Sequence, residues 1–181
     1  IMQNTSLPVI CLTKSIFEDG FVRITGSFAE VEALLKINAT FIAVDGTYRI
    51  REKQYTGPDY IKKIKKMYPK ILVMADIATS QEAFACYEAG ADCISTTLCG
   101  YTPDTVFVNQ EDPSFSLLEE CIKFVPRDFP IMAEGRFNKP EYAAQAIENG
   151  AWAVIVGTSI TRPQIITRWY VNAIKKKVGQ I

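Results

Sequence analysis

Four apolar runs in this chain stop at or just before an ionisable side chain: Val9-Ile-Cys-Leu-Thr-Lys14, Phe41-Ile-Ala-Val-Asp45, Ile71-Leu-Val-Met-Ala-Asp76 and Ile131-Met-Ala-Glu-Gly-Arg136. Glu134 is the first candidate for chemistry, with Lys14 beside it. A lysine at the end of an apolar strand loses hydration, and a lowered pKa would let Lys14 exchange protons near neutral pH; it would equally serve as a counter-charge to phosphate. If Lys14 and Glu134 face each other across a sugar, one can remove a proton beside a carbonyl while the other stabilises or reprotonates the enediol, and no metal or cofactor is required. The chain contains no histidine, so serine-type triads and histidine metal sites are excluded, and proton transfer falls to Lys, Asp and Glu.

A second pattern suggests anion binding. Val154-Ile-Val-Gly157-Thr158-Ser-Ile-Thr-Arg162-Pro offers a glycine for close backbone approach, hydroxyl groups, and an arginine before the last helix. Together with Gly135 and Arg136 one unit earlier, it matches the place where eight-fold barrels hold phosphate, after their last two strands. A plain strand-to-helix turn is the alternative reading of the same residues.

The elements that would position these groups are legible from periodicity. Strands are expected near 8–14, 39–45, 71–76, 92–97, 130–134 and 152–157, with 15–25 read as a loop and a final helix from Pro163 to Lys177. Ser27 stands three residues before Glu30 as a capping box, and Phe28, Val31, Leu34 and Leu35 share one helical face. Gly57-Pro58 opens a helix with Ile61, Ile64 and Tyr68 inward and Lys62, Lys63, Lys65 and Lys66 on the solvated side. Three helix exits align, at Asn38-Ala, Gly90-Ala and Gly150-Ala, each placing a residue tolerant of positive φ before an apolar strand. This is the joint of a parallel α/β repeat. The one long connection, 98–113, leaves the carboxyl end of a strand and is expected to act as a lid.

In parallel α/β architectures the carboxyl ends of the strands form the functional face, so Lys14, Asp45, Asp76, Thr96 or Thr97, Glu134 and Gly157 should ring one cavity. Asp45, Asp76 and Thr97 are the expected substrate contacts. An Asp after a strand is as often a helix cap, which remains the other reading of Asp45 taken alone.

Twenty basic and twenty acidic side chains in 181 residues give no net field, which disfavours nucleic acid and anionic membranes as partners and favours small-molecule chemistry. Five cysteines without C-x-x-C spacing, mostly inside apolar segments, read as reduced thiols of a cytoplasmic protein. Trp152, Trp169 and Tyr170 are assigned to core or subunit packing. A homo-oligomer is compatible with these features, and nothing in the sequence specifies its size.

Five strings stand in one order: Phe-Ile-Ala-Val-Asp45-Gly-Thr, Val-Met-Ala-Asp76-Ile-Ala-Thr, Ser-Thr-Thr97-Leu-Cys-Gly-Tyr-Thr, Met-Ala-Glu134-Gly-Arg and Val-Gly-Thr-Ser-Ile-Thr-Arg162-Pro. Together they resemble the N-acetylmannosamine-6-phosphate 2-epimerases, over nearly the whole chain. The resemblance implies a (β/α)8 TIM barrel of the ribulose-phosphate-binding type. It also implies interconversion of N-acetylmannosamine 6-phosphate and N-acetylglucosamine 6-phosphate in sialic acid breakdown, with Lys14 and Glu134 as the proton-transfer pair. Asp76 and Arg162 would hold sugar hydroxyls and phosphate, and Gly135, Arg136, Gly157 and Thr158 would line the phosphate site. Another phosphate-binding barrel isomerase or lyase, or a barrel that binds a sugar phosphate without turnover, are the competing functions. The chain departs from the family pattern where Ser15-Ile16 replaces Arg-Asp, where Gly46 replaces Ala, and where a glycine pair is reduced to Gly157-Thr158. Lys14 matches the end of the family's third strand, so about six of eight β/α units are expected here. A single barrel domain over 1–181 that lacks its first two units, on the order of 55–60 residues, is therefore the expectation.

Overall fold

The structure, a computed structural model, describes residues 4–108 and 111–178. Five parallel strands form one sheet in sequence order: β3 (Phe41–Asp45), β4 (Leu72–Asp76), β5 (Cys93–Ser95), β6 (Ile131–Glu134) and β7 (Ala153–Ile155). Before them, β1 (Lys14–Ile16) and β2 (Val22–Ile24) make an antiparallel ribbon. Helices α1 (Phe28–Lys36), α2 (Gly57–Met67), α3 (Ser80–Glu88), α4 (Phe115–Phe124) and α5 (Pro140–Glu148) fall between strands, and α6 (Thr158–Thr161) and α7 (Pro163–Val178) follow β7. The result is the expected run of parallel β/α units.

Local chemistry accounts for the helix ends. Ser27 and Glu30 form the expected capping box, and Thr79 with Glu82 forms a second one at α3. Asn38, Gly90 and Gly150 all take positive φ, at 61°, 93° and 98°, so each helix reverses into its strand at the position the alignment of exits indicated. On α2, Ile61 and Ile64 are fully buried, each contributing about 1.5–3 kcal/mol. Among the lysines opposite, Lys65 spans to Asp92 at 2.7 Å.

Three expectations are corrected. The first strand, expected at 8–14, survives as one parallel bridge from Cys11 to Ile42, held by Cys11 N donating to Phe41 O and Ala43 N donating to Cys11 O. Downstream of it the chain is captured by a local partner: Lys14 to Ile16 pair with Ile24 to Val22 through a turn at Gly20, which takes φ 79°. A nearby antiparallel partner costs little loop entropy and competes with extension of the parallel sheet. The segment read as a loop is therefore a hairpin. Trp152, Trp169 and Tyr170 are 67%, 38% and 70% exposed, which removes the core half of the core-or-subunit reading.

Strand alternation divides the apolar side chains into two layers. Ile42, Val44, Val73, Ala75, Ile94, Ile131 and Ala133 meet the helices in the larger cluster. Ala43, Met74, Cys93 and Met132 point the other way and join Ile24 in a smaller cluster on the concave face. No disulfide joins the five cysteines, and burial pushes the thiols of Cys93 and Cys121 up to about 12.

The Gly46 departure has a packing reason. A Cβ at this position would lie 2.8 Å from Cys86 Sγ, whose thiol already donates to Gly46 O. Cys86 occupies the space that a methyl group would need. Gly46→Ala is expected to cost about 1–3 kcal/mol in urea unfolding, and adding Cys86→Ala should recover part of that loss. Strictly additive losses in the double mutant would refute the packing account.

Candidate functional site

The same alternation sets the chemistry. Two residues beyond the concave layer, each strand presents its last side chain on that face: Asp45 above Ala43, Asp76 above Met74, Ser95 above Cys93 and Glu134 above Met132. Asp45 and Asp76 are register partners, as are Asp76 and Ser95, which places these groups side by side along the sheet. An apolar floor and a polar rim result.

Asp76, Ser95, Thr97 and Glu134 converge directly. The Thr97 hydroxyl lies 2.7 Å from Asp76 Oδ1 and 2.9 Å from Glu134 Oε2. The Ser95 hydroxyl lies 2.6 Å from that of Thr97 and 3.0 Å from Glu134 Oε2. Thr96, on the opposite face, fixes the strand end: Glu134 N donates to its Oγ1, which donates to Glu134 O, both at 3.0 Å. Asp76 is 1% exposed, and burial, reinforced by the Glu134 and Asp45 charges, pushes its carboxyl well above the usual range, with Thr97 and Lys14 opposing. Lys14, exposed at the start of β1, thus acts electrostatically on the same cluster.

Asp45, equally buried, is compensated in another way. Arg49 Nη2 reaches its Oδ2 at 2.5 Å, Arg51 Nη2 its Oδ1 at 3.3 Å, and the N–H and hydroxyl of Thr47 donate to Oδ1 at 3.0 and 2.7 Å. Arg51 Nη1 also donates to Asp45 O at 2.6 Å. Burial pulls both guanidinium groups below their usual value while the Asp45 charge resists. The carboxylate is the anchor of a closed ion-pair cage that shapes the β3–α2 connection.

Arg136 is engaged too. With φ 61° after Gly135 at φ 103°, it turns back so that Nε donates to Asp112 O, Nη1 to Cys99 O (both 2.8 Å) and Nη2 to Ser114 Oγ at 2.6 Å. Its guanidinium clamps both ends of the long 98–113 connection to the β6–α5 turn, with the Tyr101 ring 5.6 Å away. Gly157 and Thr158 begin α6 beyond β7, where Gly157 is exposed and no atom lies within 4 Å of a Cβ built there. Arg162, at the end of α6, is exposed.

The structure therefore brings together Asp76, Thr97 and Glu134, keeps Lys14 within electrostatic reach, and gives Asp45 and Arg136 intramolecular partners. Ser95 was missed by the sequence reading; its position two before Thr97, on the same face of an extended segment, was the available signal. Arg49 and Arg51 were missed as well, although two arginines at alternate positions after Asp45 could have indicated a counter-charge. Among the described residues, no group of three or more His, Cys, Asp or Glu is placed to hold a metal ion, and no helix is long and apolar enough to cross a membrane.

Comparison with known proteins shows what the chain is similar to. The family model described as "Putative N-acetylmannosamine-6-phosphate epimerase" matches residues 1–176. The putative N-acetylmannosamine-6-phosphate 2-epimerase of Caldanaerobacter subterraneus subsp. tengcongensis is 42% identical over 177 residues, covering 98% of this chain and 73% of its own length. Its counterpart in Clostridioides difficile is 41% identical over 175 residues, 97% of this chain and 76% of its own. The solved N-acetylmannosamine-6-phosphate 2-epimerase from Clostridium perfringens superposes with a TM-score of 0.83 at 37% identity, covering 94% of this chain and 72% of that one.

The cage makes a prediction about Asp45. Asp45→Asn leaves two buried arginines without their counter-charge and is expected to cost about 3–5 kcal/mol in urea unfolding. A direct substrate contact without a structural role would instead leave stability unchanged and raise KM.

Proposed function

The chain belongs to the N-acetylmannosamine-6-phosphate epimerase family, and on that premise we propose that it interconverts N-acetylmannosamine 6-phosphate and N-acetylglucosamine 6-phosphate by moving a proton at carbon 2. The observation that carries this reading is the convergence of Asp76, Thr97, Ser95 and Glu134 on one hydrogen-bonded cluster, with Lys14 in electrostatic reach.

Inverting carbon 2 needs a proton removed from one face and returned on the other. In the open-chain sugar that hydrogen lies beside the carbon 1 aldehyde, so its removal sends the electron pair onto the carbonyl oxygen as a 2-acetamido enolate, and reprotonation of carbon 2 on the opposite face restores the aldehyde. Lys14 and Glu134 are the proton carriers. Both side-chain hydroxyl contacts of Glu134 fall on Oε2, leaving Oε1 to exchange a proton with substrate. Asp76 and Thr97 meet sugar hydroxyls beside it. The phosphate lies beyond β7, against the backbone of Gly135, Gly157 and Thr158, with Arg162 as its counter-charge. Arg136 serves indirectly, by tying the ends of the 98–113 connection to the turn after β6, and Asp45 serves by anchoring the β3–α2 loop. A phosphorylated amino-sugar substrate and the buried free thiols fit a cytoplasmic enzyme.

Proton NMR of the 181-residue chain with N-acetylmannosamine 6-phosphate tests the function. The anomeric signals of N-acetylglucosamine 6-phosphate should appear, and Lys14→Ala and Glu134→Gln should each lower kcat by about 10²- to 10⁴-fold. Saturable binding with no conversion would overturn the epimerase reading in favour of a sugar-phosphate-binding barrel.

A further inference from the structure

Four groups in the cluster make four close oxygen contacts: Asp76 to Thr97 at 2.7 Å, Thr97 to Glu134 at 2.9 Å, Ser95 to Glu134 at 3.0 Å and Ser95 to Thr97 at 2.6 Å. Each contact at such a distance needs a hydrogen between its oxygens. Ser95 and Thr97 supply one hydroxyl hydrogen each. With both carboxyls ionised, Thr97 can donate to Asp76 and Ser95 can be shared between Thr97 and Glu134. Serving the 2.9 Å contact of Thr97 with Glu134 as well would split the single Thr97 hydrogen between two carboxylates and leave all four contacts on two shared hydrogens. A third hydrogen removes the conflict. Placed on Asp76 Oδ1, it is donated to Thr97, Thr97 donates to Glu134 Oε2, and Ser95 is shared between Thr97 and Glu134, so all four contacts are served.

We propose that Asp76 is a neutral acid that positions Glu134, donating its hydrogen through the Thr97 hydroxyl so that Glu134 stays ionised with Oε2 fixed and Oε1 directed to substrate. The choice of Asp76 over Glu134 as the holder follows from burial, 1% exposed against a half-buried Glu134. The groups facing Asp76 agree. Lys14 from β1 favours its charge and Thr97 from beyond β5 hydrogen-bonds it, but burial and the carboxylates of Glu134 on β6 and Asp45 on β3 outweigh them. Asp45 shows what an ionised carboxylate needs on this face: two arginines in contact, of which Asp76 has none.

Three measurements test the proposal, and the first two need no turnover. Carboxyl carbon-13 NMR of the wild-type protein at neutral pH should show the Asp76 resonance at the position of a protonated acid; a carboxylate position would overturn the proposal. The second is linkage. A carboxyl whose folded pKa is raised adds stability at acid pH that is lost as pH rises, and Asp76→Asn lacks that dependence. The Tm of Asp76→Asn minus that of wild type should therefore increase from roughly pH 5 to pH 8, and a flat or falling difference would contradict the proposal.

The third arm rests on the epimerase reading. The side-chain amide introduced by Asp76→Asn can still donate to Thr97, so this variant should keep a kcat about 3- to 10-fold above that of Asp76→Ala, the worth of one hydrogen bond between neutral groups. It should also lose the alkaline limb of the wild-type pH profile, since it has no proton to release. Equal kcat losses with the limb retained would show that Asp76 acts as an ionised group. Failure of turnover in every protein would count against the epimerase function alone, because the NMR and linkage arms would still decide the state of Asp76.

Discussion

Asp76 and Glu134 close on the Thr97 hydroxyl from either side of β5, and the rest of the concave face is arranged around that contact. Two carboxylates cannot both ionise freely at such separation in a buried setting. The neighbouring Asp45 makes the constraint plain. It stands in register with Asp76 and is as deeply buried, yet it is enclosed by Arg49 and Arg51 and two Thr47 donors. One carboxylate is neutralised by guanidinium groups and fixes a loop; the other is left with hydroxyl groups and remains available to chemistry.

The scaffold supplies the geometry at low conformational cost. Parallel strands end at one level, so a period of two carries an apolar layer, Ala43, Met74, Cys93 and Met132, into an ionisable layer one step above. Thr96 grips the Glu134 backbone from the outer face, so the catalytic candidate is held by main chain as well as by side chain. Arg136 then ties both ends of the long 98–113 connection to the turn after Glu134, coupling that connection to the strand that bears the candidate proton carrier. Sites on strand ends with loops clamped above them combine rigidity with access.

Much of this was readable from the chain because it follows from periodicity. The five sheet strands, the helix exits at Asn38, Gly90 and Gly150, and the strand-end positions of Asp76 and Glu134 all express patterns of two or about 3.6 residues. What was not readable depends on partners distant in sequence or on irregular backbone. The sequence reading took Arg136 as a phosphate ligand, but its donors go to Cys99, Asp112 and Ser114, whose carbonyls and hydroxyl carry no periodic signal. The ion pairs of Asp45 were not read because Arg49 and Arg51 lie on a loop whose return toward the strand carries no periodic signal. The hairpin at Lys14 escaped because its strands are three residues long, too short for alternation to register.

The account turns on a proton passing through this face. The most direct measurement is deuterium content at carbon 2 of the epimer formed from N-acetylmannosamine 6-phosphate in deuterated water. Proton carriers that equilibrate with solvent should leave deuterium at carbon 2 of the newly formed N-acetylglucosamine 6-phosphate, and Lys14→Ala should slow the appearance of epimer and label together, by about 10²- to 10⁴-fold. An epimer that keeps its original carbon 2 hydrogen, or a label that appears at the wild-type rate in Lys14→Ala, would contradict proton transfer between Lys14 and Glu134.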